Sequence, residues 1–147
     1  MSDHRPPTHT PPVAPQDEPW AELRALTAAR VALPRLQGWR IAPLVVVRQG
    51  RVAIGDAIAR ALRADIAVVL IGERPGLSAP DSMGAYLTFK PTAQTTDAER
   101  NCISNIRPEG LAYADAAVTL THLLRTMRAR QISGVRLKDD RLLLDGG

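Results

Sequence analysis

Glu73 and Arg74 are the residues of this chain best placed for ligand chemistry. They follow Ala67-Val68-Val69-Leu70-Ile71, an unbroken apolar run rich in β-branched residues. That pattern predicts a strand buried on both faces. Gly72, Pro75 and Gly76 then stop the run, because glycine admits turn geometries and proline withholds a backbone N–H. A carboxylate and a guanidinium just beyond the carboxyl end of such a strand could orient a polar ligand, since open α/β sheets bind ligands at that edge. The same pair reads equally well as a solvated turn with a weak surface ion pair. A second polar group, Asn101, Cys102, Ser104 and Asn105, carries the chain's one thiol. His122 lies among apolar helix residues and reads as a packed histidine rather than a base. Gly50-Arg51-Val52-Ala53-Ile54-Gly55 has the wrong spacing for a dinucleotide loop, and there is no Walker lysine.

The elements that must position these residues can be read in order. Residues 1–19 hold six of the twelve prolines and predict a disordered tail. Residues 20–37 form an amino-terminal helix, Trp20 to Leu33, and a junction that Pro34 begins. Residues 38–138 form the main domain. Its Ile41–Val47 run predicts a strand with Pro43 near the start, and Val52–Leu62 has helical spacing. With the strand Ile66–Ile71 this makes a βαβ unit, which implies parallel pairing and a right-handed crossover. Ala85–Phe89 alternates like a third strand. Thr96 and Glu99 have capping-box spacing, predicting a helical turn from Asp97 that carries the polar group around Cys102. Ala112–Arg130 is a helix with a stripe of Tyr113, Ala116, Leu120, Leu123, Leu124 and Met127. Val135–Leu137 reads as a short strand and residues 139–147 as a charged tail. The expected fold is therefore α/β and Rossmann-like, a mostly parallel sheet flanked by helices. Two helices are too few to cover both faces of such a sheet, so an apolar patch is expected to stay open.

Composition sets outer bounds. At 147 residues the chain is one domain by prior, and with 3 % aromatic residues its core must be aliphatic. The formal charge of +4 comes mostly from dispersed arginines, and the few aromatics are scattered, which argues against a nucleic-acid partner. A single cysteine excludes an internal disulfide framework and a cysteine-based zinc site. No apolar run approaches a membrane span, and the amino terminus lacks a secretory signal. The expectation is a soluble intracellular protein.

Three blocks narrow the reading. Residues 48–56 (RQGRVAIGD), 72–82 (GERPGLSAPDS) and 96–110 (TDAERNCISNIRPEG) resemble the small subunit, or light chain, of ethanolamine ammonia-lyase, with near-continuous similarity from Gly38 to Lys138. Trp20–Leu33 resembles that family's amino-terminal segment, and the direct run from Leu33 to Gly38 implies an internally shortened form. The resemblance implies a chain that binds adenosylcobalamin together with a large subunit, in a complex converting ethanolamine to acetaldehyde and ammonia. The substrate site would belong to the large subunit. It implies cofactor contacts at Val52, Glu73 and Cys102, and a cytoplasmic location with a bacterial microcompartment as a further option. Val52 would pack on the corrin, Glu73 would accept hydrogen bonds from its amide arms, and Cys102 would be a small soft contact. Local pattern leaves the alternatives open: a core valine, a solvated glutamate, a buried thiol. Two other functions stay in view, an inactive remnant that serves only as an interaction domain and a basic nucleic-acid-binding domain.

Overall fold

A computed structural model describes residues 28–29, 32–73 and 81–137. Its regular elements are α1 (Ile54–Ala61), β1 (Ile66–Gly72), β2 (Met83–Phe89), β3 (Arg100–Ile106) and α2 (Tyr113–Arg130), with 3₁₀ turns at Leu33–Arg35 and Asp97–Glu99. The three strands form one sheet in the order β1-β2-β3. Both pairings are antiparallel, with Ile66 opposite Phe89, Val69 opposite Tyr86, and Tyr86 opposite Cys102.

This corrects the expectation of a mostly parallel, Rossmann-like sheet. The connectors 73–82 and 90–99 have ten residues each, whereas a parallel crossover needs a dozen or more. The βαβ unit also lacks its first strand. Ile41–Val47 has no ladder partner among the described residues, and Ile41, Leu44, Val45, Val46 and Val47 are all exposed. Apolar character alone makes a strand only where a neighbouring strand can take up its N–H and C=O groups.

Side-chain alternation sorts the sheet into two faces. The back face carries Ile66 and Leu70 of β1, Met83, Ala85, Leu87 and Phe89 of β2, and Ile103 and Ile106 of β3. Helix α2 closes that face with Ala116, Ala117, Leu120, Leu124 and Met127, so the expected stripe is the buried one. Leu87, Ile106 and Met127 are shut off from solvent, each contributing about 1.5–3 kcal/mol by burial. Arg128 stacks on Trp39, 4.2 Å from the ring centre, and ties the 36–40 segment to the same helix.

The front face carries Ala67, Val69 and Ile71, then Gly84, Tyr86 and Thr88, then Arg100 and Cys102, as the registers require. Among the described residues, α1 packs on its β1 side. A Cβ on Gly55 would overlap Val69 Cγ2, so the glycine is what lets α1 lie on β1.

Other expectations fare unevenly. The capping box at Thr96 and Glu99 is present, with Thr96 N donating to Glu99 Oε2 at 2.7 Å. The helical turn it opens ends at Glu99, and Asn101, Cys102, Ser104 and Asn105 lie in β3 instead. Alternation explains this: Asn101, Ile103 and Ile106 are buried, while Cys102 and Ser104 are exposed. Residues 135–137 form a helical turn rather than a strand. Asn101 clamps the preceding turn, accepting from Gly134 N at 2.6 Å and donating to Gly134 O at 3.1 Å. Gly134 has φ +78, and any Cβ there would run into the Ala98 carbonyl, so only glycine suits the position. Most of the Trp20–Leu33 helix lies outside the described residues, which show Ala28, Ala29 and Ala32 as helical. Residues 1–19, residues 74–80 with Arg74, and residues 139–147 also lie outside them.

Candidate functional site

Glu73 follows the last residue of β1, and its backbone N–H donates to Ser82 O at 2.9 Å, which extends the β1–β2 pairing by one position. Glu73 and Ser82 then face each other on the front of the sheet. Ser82 Oγ donates to Glu73 Oε2 at 2.5 Å, and the backbone N–H of Asn105 donates to Glu73 Oε1 at 3.1 Å. Both carboxylate oxygens are therefore held, one by Ser82 just before β2 and one by Asn105 of β3. A carboxylate has about four acceptor positions, so each oxygen keeps capacity for a ligand donor.

The Asn105 donor is available because β3 is irregular there. Met83 pairs with Ile106 but Ala85 pairs with Ile103, so two residues of β3 stand opposite Gly84 alone. Asn105 adopts φ +58, left-handed geometry that asparagine tolerates better than most residues. This is a β-bulge, and a bulge frees one N–H from the ladder. The freed group points at Glu73. Asn105 O accepts from Leu111 N at 2.8 Å and Asn105 Oδ1 from Arg107 Nε at 2.9 Å, which fixes the bulge from its other side.

Cys102 is exposed and stands on the same face as Glu73, directly opposite Tyr86 and two strands from Val69. Val52 is half-buried in the turn that opens α1, one turn before the Gly55 contact with Val69. Two of the three residues expected as cofactor contacts, Glu73 and Cys102, thus share the front face, and Val52 opens the helix that packs on β1.

Sequence reasoning missed the group that holds this arrangement together. Asp56, in the first turn of α1, forms a buried ion pair with Arg100 at the start of β3. Their side chains are 10 % and 4 % exposed. Arg100 also donates to Thr96 O at 2.7 Å, while its Nε finds no acceptor among the described residues. Burial pushes the Asp56 carboxyl above the usual carboxylate range, outweighing the opposing pull of Arg100 and Arg60. The pair fixes α1, and with it Val52, against the strand that carries Cys102. Both partners lie in the blocks 48–56 and 96–110, but a separation of 44 residues hides their contact from local pattern. Ser82 and Tyr86 were missed for the same reason.

His122 is exposed, not packed. With Arg35, Val118, Thr121 and Arg125 it lines a depression of about 440 Å3 beside α2, away from the front face. Among the described residues no cluster of His, Cys, Asp or Glu could hold a metal ion. No helix among them is long and apolar enough to cross a membrane.

The front face offers the partly exposed Ile71 and Tyr86, the exposed Cys102, and an oriented carboxylate at one end. Residues 33–138 match the family described as "Ethanolamine ammonia-lyase light chain (EutC)". The chain is 54 % identical over 127 residues to the ethanolamine ammonia-lyase small subunit of Azotobacter vinelandii, covering 80 % of this chain and 47 % of the relative. It is 57 % identical over 109 residues to the small subunit of Xanthomonas campestris pv. campestris strain B100, covering 74 % and 40 %. The Pseudomonas aeruginosa LESB58 small subunit is 52 % identical over 127 residues, covering 80 % and 46 %. The chain spans about half the length of the curated relatives it matches.

Proposed function

Because this chain belongs to the family of ethanolamine ammonia-lyase light chains, we propose that it holds adenosylcobalamin jointly with a large subunit, in a carbon–nitrogen lyase converting ethanolamine to acetaldehyde and ammonia. The observation that carries the proposal is the pre-set Glu73 carboxylate at the open end of the front face, with Cys102 on the same face. When bound, the cofactor supplies the radical chemistry that amino-acid side chains lack.

The chain's own residues do the holding. Glu73 accepts hydrogen bonds from amide or hydroxyl groups of the cofactor, each worth about 1.5–3 kcal/mol to a charged acceptor. Ser82 and Asn105 keep that carboxylate in one orientation, so little side-chain freedom is lost on binding. Val52 packs apolar surface against the ring, and Cys102 makes a soft contact across it. None of these residues acts on ethanolamine, whose site lies in the large subunit. The complex would work in the cytoplasm, free or inside a bacterial microcompartment.

The test is a cobalamin titration of large subunit alone and of large subunit mixed with this chain. The proposal requires tight binding only in the mixture. Equal affinity with and without the chain would reduce it to an interaction domain.

A further inference from the structure

Tyr86 belongs to none of the expected contacts, yet it occupies the middle of the front face. It pairs directly with Cys102 on one side and Val69 on the other. Its ring does not stand away from the sheet. A Cβ on Gly84 would meet Tyr86 Cε2 at 2.9 Å, Cζ at 3.6 Å and the hydroxyl at 3.7 Å, so the outer half of the ring lies over Gly84. Gly84 and Tyr86 are two residues apart on one strand and therefore share a face. The ring runs along β2 from the level of Cys102 towards the Glu73–Ser82 pair. Gly84 is opposite Ile71, one position short of Gly72–Met83 and two short of Glu73–Ser82.

A glycine on the front face of a central strand gives up side-chain packing, and in a strand it marks a place where another group must approach closely. Here that group is the aromatic ring of the same strand. With any side chain at position 84 the ring would have to move from its place over Gly84, between the levels of Cys102 and Glu73. Helix α1 approaches Ala67 and Val69 through Gly55, and Tyr86 is half-buried.

We propose that Tyr86, laid flat by Gly84, is the aromatic floor on which the apolar face of the corrin ring rests, a contact additional to Val52, Glu73 and Cys102. The inference rests on the cofactor reading above and deepens it. A flat ring complements a flat macrocycle, and an aromatic side chain contributes contact area while losing few rotamers. Glu73 then anchors the amide rim at one end of this floor. The hydroxyl is not needed for the contact.

The experiment measures the dissociation constant for adenosylcobalamin in the complex with large subunit, using Tyr86→Ala, Tyr86→Phe, Gly84→Ala and the Gly84→Ala/Tyr86→Ala double variant. Glu73→Ala is carried as a reference, and sedimentation verifies assembly of each complex. Tyr86→Ala should weaken cofactor binding roughly tenfold, as truncation of a central aromatic contact does. Tyr86→Phe should bind like the native chain. Gly84→Ala should weaken binding by itself, and the double variant should be no weaker than Tyr86→Ala, because the glycine acts only through the ring. The KM for ethanolamine should not move. If Tyr86→Ala fails to assemble, Gly84→Ala decides the matter. Native affinity for an assembled Gly84→Ala or Tyr86→Ala complex, or a Tyr86→Phe loss as large as the Ala loss, overturns the floor. If Glu73→Ala weakens binding in that same series, the cofactor reading survives the failure; if it does not, that reading falls as well.

Discussion

Replacing Asp56 with Ala leaves the Arg100 guanidinium in a nearly dry site with one good partner. The native pair is 10 % and 4 % exposed, Arg100 Nε already lacks an acceptor among the described residues, and Asp97 offers only a rim contact at 3.6 Å. After the substitution Thr96 O is the remaining close acceptor. Removing one member of a buried pair costs about 3–5 kcal/mol, a large part of the total stability of a small domain. Urea unfolding of the purified chain, followed by circular dichroism, measures the cost as a lower midpoint at unchanged slope. The double variant Asp56→Leu/Arg100→Met should recover most of the loss, because the penalty lies in the stranded charge and not in the missing attraction. The pH dependence has a definite sign. Burial raises the Asp56 pKa above its unfolded value, so on raising the pH the unfolded chain releases this proton first. The group's contribution to stability is complete below its unfolded pKa and is lost as pH rises through the higher, folded one. Asp56→Asn does not titrate, so its deficit against the native chain should shrink as pH climbs through the carboxylate range. A loss below about 1 kcal/mol for Asp56→Ala, or a double variant as unstable as the single, would refute this account of the pair.

Cys102 should react with a thiol-alkylating reagent in the assembled complex, and adenosylcobalamin should slow that reaction; equal rates with and without cofactor would remove it from the site. The exposed run Leu44–Val47 should make the isolated chain bind a hydrophobic dye or self-associate, and large subunit should suppress this. A monomer in sedimentation that binds no dye would show that this run is covered in solution.

The parts of the structure carried by short-range pattern were legible in the sequence. The Ala67–Ile71 run is β1, the Thr96/Glu99 spacing is a capping box, and the α2 stripe is the buried one. Each depends on residues a few positions apart. Sheet direction was not read correctly, although the ten-residue connectors on either side of β2 already exclude a helical crossover. Ile41–Val47 shows why apolar character misleads: a run fit for a buried strand remains exposed when no described strand pairs with it. RNCISN reads as a polar turn until its alternation is noticed, with Asn101 and Ile103 buried and Cys102 exposed between them. Contacts across the fold leave no local trace. Glu73 with Asn105 and Asp56 with Arg100 are 32 and 44 residues apart. The three expected cofactor contacts came from family resemblance, and local pattern could not have shown that Glu73 and Cys102 share a face.

If the front face binds the cofactor through the carboxylate at its end, changes at Glu73 must weaken that binding. The dissociation constant of adenosylcobalamin is measured in complexes of large subunit with native chain, with Glu73→Ala and with Glu73→Gln. Loss of one hydrogen bond to a charged acceptor, about 1.5–3 kcal/mol, corresponds to roughly a ten- to hundredfold weaker complex. Glu73→Gln keeps an acceptor oxygen and should fall between the native chain and Glu73→Ala. An unchanged dissociation constant in fully assembled Glu73→Ala complex would contradict binding through this carboxylate.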